Sequence, residues 1–203
     1  MQISIAQKQS ADISPGWIKY FLSLLLLLQV IHPGSAGAGG LNSPERVGLA
    51  LTCGHSYDPD PTFMFTQLTG MLQYDYKTVW RHRAPEPLRF KLEANLGMAE
   101  FRGEQRLFGS VNMLAQYYLP PPLDRRFRPY VEAGIGLIYS DFQVEGQGLR
   151  LNFNPQAGLG CDITGGGNEL FFAGLRIHHL SNSHLDHDNR GINAVLIQIG
   201  RYF

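Results

Sequence analysis

The chain has 203 residues, with 17 Lys and Arg balanced by 17 Asp and Glu, so charge gives no basic surface for nucleic acid. Two cysteines, Cys53 and Cys161, are too few for a disulfide framework; they read as small apolar residues, with one bridge open to them in an oxidising compartment. Beyond the N-terminal leader there is no long apolar run, so a membrane-embedded form must be a barrel.

Residues 1–38 read as a cleaved signal peptide. Lys19 precedes the apolar run Phe21–Ile31, and small residues follow at Gly34, Ser35, Ala36, Gly37 and Ala38. The run is short for a membrane-spanning helix, which argues against a permanent anchor. Residues 39–203 then form one domain.

That domain alternates. Leu88, Phe90, Leu92, Ala94, Leu96 and Met98 oppose Arg89, Lys91, Glu93, Asn95 and Gly97. Val111, Met113, Ala115 and Tyr117 oppose Ser110, Asn112 and Gln116, and Val131, Ala133, Ile135 and Leu137 oppose Glu132, Gly134 and Gly136. From Arg150 to Ile163, Leu151, Phe153, Pro155, Ala157, Leu159, Cys161 and Ile163 share one face. Period 2 over ten or so residues exceeds an ordinary strand and suits a tilted outer-membrane strand, apolar outside and polar inside. The glycines on the polar face suit a narrow, crowded lumen. Eight strands are predicted, at 46–56, 63–80, 87–101, 105–119, 128–142, 149–164, 168–181 and 192–203. Met64–Trp80 alternates poorly and is the weakest of them. Turn signals stand between the others at Asp58-Pro59-Asp60-Pro61, Arg102-Gly103, Pro120-Pro121-Pro122, Gly146-Gln147-Gly148 and Gly165-Gly166-Gly167. The terminal Phe203 resembles the insertion signal of bacterial outer-membrane barrels. The expected fold is an all-β, eight-stranded antiparallel transmembrane barrel in the bacterial outer membrane. A soluble lipocalin-like barrel would instead bury the apolar face, and alternation alone serves both.

The seventh strand carries the chemistry. Phe171, Ala173, Leu175, Ile177, His179 and Ser181 share a face, while Arg176 and His178 mark the opposite, luminal one. In the last strand Asn193 shares parity with the outward Val195, Ile197 and Ile199, so it could lie beside His179. A barrel of eight strands that starts and ends in the periplasm runs its seventh strand outward, which sets His179 and Ser181 at the outer leaflet, where the lipid is lipopolysaccharide. A serine hydroxyl becomes a nucleophile when an imidazole takes its proton. Ser181 and His179 fill those roles. Asn193 could orient the imidazole through its carbonyl oxygen, and Asn182 offers a side-chain amide and a backbone N–H to an oxyanion. The reaction would be ester hydrolysis through an acyl-Ser181 intermediate.

His179-Leu180-Ser181-Asn182, followed by Asn189-Arg190-Gly191-Ile192-Asn193 and a final strand, resembles the C-terminal motif of the PagL-type lipid A 3-O-deacylases. The resemblance implies an eight-stranded outer-membrane barrel that removes the ester-linked 3-O acyl chain of lipid A without metal or cofactor. It implies His179 as base, Ser181 as nucleophile and Asn182 as an oxyanion contributor. Two positions depart from the pattern: Asn193 stands where the family has Glu, and His184 where it has a glycine that shapes the oxyanion hole. Asp186 and Asp188 are nearby alternatives for the missing acid, although solvated loop charges explain them as well.

Other readings stay open. His184 with His187 or Asp188 could chelate a metal, whereas His178 and His179, on opposite faces, could not. A non-enzymatic or inactive small barrel, or an outer-membrane phospholipase, would share the fold. The residues leave the oligomeric state open, a homodimer included.

Overall fold

The computed structural model describes residues 43–166 and 170–203. The expected signal peptide and Gly167 of the glycine turn lie outside the described residues. Nine strand segments form one antiparallel sheet: β1 (Arg46–Asp58), β2 (Met64–Asp75), β3 (Leu88–Phe101), β4 (Glu104–Tyr118), β5 (Phe127–Ser140), β6 (Leu151–Phe153), β7 (Gln156–Thr164), β8 (Leu170–Leu180) and β9 (Ile192–Tyr202). β6 and β7 are one stave. Their pairs with β5, Leu137 with Phe153 and Gly134 with Gln156, keep a single register. The break falls at Asn154 and Pro155, where proline has no N–H to give the ladder. β1 pairs with β9 and closes the sheet, so the chain forms the expected barrel of eight staves.

The second stave is shorter than the sequence suggests. It stops at Asp75, whose carboxylate accepts from the N–H groups of Lys77 at 2.8 Å and Thr78 at 3.3 Å and so starts the short helix α1 (Tyr76–Trp80). Trp80 then meets the outward Phe90 edge-on at 5.6 Å.

Burial follows the parity read from the sequence. Leu96, Val111, Ile135, Leu159, Ile177 and Ile197 are exposed on the outer wall, while Lys91, Glu93, Gln116, Glu132, Arg176 and Gln198 are buried inside. A soluble barrel would show the reverse, and a continuous apolar exterior of this kind marks a lipid-facing surface. At mid-barrel, Arg176 donates two hydrogen bonds to Glu93 at 2.7 and 2.8 Å and one to Glu132 at 2.5 Å. Lys91 Nζ donates to Glu132 at 2.5 Å and lies 3.3 Å from Glu93. Two positive and two negative groups thus cancel out of water.

The interior is not polar throughout, which differs from the alternation-based expectation. At the end of the barrel away from the termini it is filled by Phe63, Phe65, Phe108, Ile138, Leu180 and Ile192. Space explains this. Phe65 and Phe108 lie opposite Gly54 and Gly97 on the neighbouring strands, and a Cβ on either glycine would come within 2.2 or 2.3 Å of the ring. Glycine on one strand makes the volume that an aromatic on the next fills.

Candidate active site

The site lies on the outer wall where β8 and β1 end and β9 begins, away from the termini. β8 continues past Leu180. The Ser181 N–H donates to the Phe153 carbonyl at 3.1 Å, and the Phe153 N–H donates back at 2.8 Å, so β6 holds the stretch extended. Extended backbone puts His179 and Ser181 on the same, outward side. His178 points the other way and is buried in the lumen.

His179 on β8 is the register partner of Asn193 on β9, and His179 Nδ1 lies 2.7 Å from Asn193 Oδ1. The expected neighbourhood of the two residues is therefore real. Asn193 is in turn the register partner of Asp58 on β1, and its Nδ2 donates to Asp58 Oδ2 at 2.8 Å. The other carboxylate oxygen, Oδ1, accepts from Arg190 at 2.6 Å. Three adjacent strands thus carry a row of side chains linked edge to edge: imidazole, amide, carboxylate.

Asp58 does not emerge from the sequence pattern. By parity it belongs with the inward Ser56. The pairing of β1 with β9 shifts between Ser56 and Asp58, leaving Tyr57 as an extra residue. This bulge turns Asp58 to the outer side, beside Asn193. The sequence contains the residue only as the first member of a turn signal.

Gly191 fixes where the imidazole rests. A Cβ there would sit 2.6 Å from His179 Cε1 and 3.2 Å from Nε2. The ring packs on bare backbone, so the glycine of the motif has a steric reason.

The Ser181 hydroxyl has no hydrogen bond to His179 among the described residues. The loop after Ser181 is tied down from within. The Asn182 side-chain amide donates to the Asp188 carbonyl at 2.8 Å, and its backbone N–H donates to Asn189 Oδ1 at 2.8 Å. Both donors expected to face an oxyanion are thus engaged in the loop, and Asn182 is buried. Ser183 and His184 follow with φ of 55° and 63°. His184 therefore adopts the left-handed conformation that a glycine would favour, at a steric cost. Among the described residues, no hydrogen bond occupies the N–H of either residue.

Neither alternative acid reaches His179 in a hydrogen bond. Asp186 accepts from the Asp188 N–H at 3.0 Å within the loop, and the Asp188 backbone carbonyl accepts from the Gly148 N–H at 2.7 Å, tying the loop to residues 141–150. His187 lies 3.4 Å from Asp188 in the open. Among the described residues, no three His, Cys, Asp or Glu side chains are grouped to hold a metal ion. Cys53 and Cys161 are free thiols.

An open groove of about 290 Å³ adjoins the row, lined by Tyr57, Pro155, Ala157, Ile177, His179 and Asn193. Gln156 and His178 complete the lining, so apolar walls stand beside the polar groups of His179 and Asn193. That form suits a chain-like apolar ligand with an ester at its head.

Comparison with known proteins identifies the family and the fold. A family model described as lipid A 3-O-deacylase (PagL) matches residues 68–201. The crystal structure of the outer membrane enzyme PagL superposes with a TM-score of 0.55 at 22% identity, covering 75% of this chain and 97% of that one. The crystal structure of Neisserial surface protein A (NspA) gives a TM-score of 0.52 at 12% identity, covering 77% of this chain and 95% of that one. At these identities the two structures speak for the fold. No curated protein matches the chain in sequence. With a family match across most of the barrel, and with apolar residues outside and charge inside, the chain is an outer-membrane β-barrel that belongs to the lipid A 3-O-deacylase (PagL) family.

Proposed function

We propose that this barrel is an outer-membrane serine esterase that hydrolyses the 3-O-linked acyl ester of lipid A, with Ser181 as nucleophile and His179 as general base. The observation that carries the reading is the 2.7 Å hydrogen bond from His179 Nδ1 to Asn193 on the lipid-facing wall, beside an apolar groove. With Nδ1–H donating to Asn193, the lone pair of the imidazole is on Nε2, the nitrogen that a base must offer.

Each step then has an owner. His179 Nε2 takes the Ser181 proton as Oγ attacks the ester carbonyl. Charge on the tetrahedral oxygen is met by backbone N–H groups of the turn at Ser183 and His184, a role the left-handed pair suits. Asn182 supports that turn by holding Asp188 and Asn189. The imidazolium returns its proton to the departing sugar oxygen, leaving acyl-Ser181. Water, activated by the same imidazole, releases the fatty acid. The acyl chain lies along Ala157 and Ile177 during the reaction, and the substrate arrives by lateral diffusion in the outer leaflet.

Mass spectrometry of lipid A from cells expressing the chain tests the reading. The expected result is loss of one 3-hydroxyacyl group with the native sequence and none with Ser181→Ala. Unchanged lipid A, with the barrel folded in the outer membrane, would sink the proposal.

A further inference from the structure

We propose that Asp58 is a positioning residue for His179, acting through Asn193 and supplying the negative charge that the imidazole's direct partner lacks. The proposal rests on the assignment of His179 as general base. An amide next to an imidazole is ambiguous. It can present its oxygen, which selects the Nδ1–H form, or its NH₂, which selects the opposite tautomer. Asn193 alone has no means to choose. Asp58 removes the choice, because an ionised carboxylate only accepts. Its Oδ2, 2.8 Å from Asn193 Nδ2, requires the NH₂ on its own side and turns Asn193 Oδ1 toward His179.

The same bond polarises the amide. A donor bound to a carboxylate makes the carbonyl at the other end of the group a stronger acceptor, and linked hydrogen bonds reinforce each other. Charge develops on His179 when it takes the serine proton, and the polarised amide stabilises that imidazolium. No proton moves along the row. Arg190, 2.6 Å from Asp58 Oδ1, occupies the second oxygen and leaves Oδ2 for Asn193. That ion pair is half exposed, so solvent screens it and it does not cancel the short-range hydrogen-bond effect. The β1 bulge is the device that makes this possible, since a regular strand would turn Asp58 into the lumen. In effect the acid of the site stands one strand further round the barrel, with an amide as the bridge.

The test uses the full-length barrel in detergent micelles, with ¹⁵N-histidine NMR reading the His179 tautomer and lipid A turnover measured in the same samples. Native protein should show His179 protonated on Nδ1. Asp58→Asn should lower that population and reduce kcat by about tenfold, with KM changed less than about twofold. Arg190→Gln, which breaks the ion pair but keeps the carboxylate, should preserve the tautomer. Asn193→Glu puts a carboxylate directly on the imidazole, so in that background the cost of Asp58→Asn should shrink to about threefold or less. An unchanged tautomer in Asp58→Asn would overturn the proposal. So would an equal loss in both backgrounds, which would mark general damage to the loop. If native protein and Ser181→Ala turn over lipid A alike, the esterase reading fails instead, and the tautomer measurement still decides the role of Asp58.

Discussion

His179 packs on a residue with no side chain. Gly191→Ala would put a methyl 2.6 Å from its Cε1, inside contact distance, and 2.9 Å from the Leu180 carbonyl oxygen. The ring must yield, and with it the bond to Asn193. If His179 is the base as proposed, displacing it by about 1 Å costs on the order of a hundredfold in rate. The expected outcome is a folded barrel with deacylation lowered by about that factor, and the check is turnover alongside circular dichroism of the same sample. Strand parity makes His179, Ser181 and Asn193 legible in the sequence, because period 2 and one hairpin are enough to set them on one face. Asp58 is illegible by the same rule. It lies 135 residues from Asn193, on a strand that meets β9 only when the barrel closes, and one extra residue, Tyr57, reverses its side. His184 is partly legible. Its place in the motif marks a position that calls for glycine, but only the backbone angles reveal that histidine takes up that conformation.

At the scale of the element, the loop from Ser181 to Gly191 behaves as a folded unit. Asn182 is its internal brace and the segment 141–150 its outer support, through Arg190 N–H to the Gly146 carbonyl at 2.8 Å and Gly148 N–H to the Asp188 carbonyl at 2.7 Å. Asn182→Ala removes a buried donor and leaves the Asp188 carbonyl with one partner fewer, at a local cost of about 1–3 kcal/mol. Amide exchange across 182–190 should therefore speed up by roughly ten- to a hundredfold while strand amides stay protected, and hydrogen-exchange mass spectrometry would show it. Uniform exchange throughout the barrel would contradict a local brace. Within the strands, Gly97→Val tests the pairing of glycine with a facing ring. The new side chain would strike the Phe108 ring, and overpacking of this kind costs about 1–3 kcal/mol, read as a lower urea midpoint. The length of β2 illustrates what period 2 cannot report. Its end is set by a side chain capping two N–H groups, a local interaction that leaves no trace in hydrophobic alternation beyond a weakening of it.

The barrel as a whole is turned inside out relative to a soluble barrel, so the apolar surface cannot be its cohesive core. Cohesion across the lumen falls to apolar filling at both ends, with the rings of Phe172 and Tyr202 4.8 Å apart on the side of the termini, and to the charged group at the centre. Arg176 is buried and serves Glu93, Glu132, Gln156 and Gln198 together. Arg176→Met would leave two buried carboxylates facing Lys91 alone, and breaking a buried pair from one side costs about 3–5 kcal/mol. The urea midpoint of refolded protein should drop accordingly. Adding Glu93→Gln to that variant restores charge balance, because Lys91 and Glu132 remain as a matched pair at 2.5 Å. The double variant should therefore be more stable than Arg176→Met, a non-additivity that arises only if the four groups act as one unit. If the two changes simply add, the centre of the barrel is held by packing, and the charges are passengers in it.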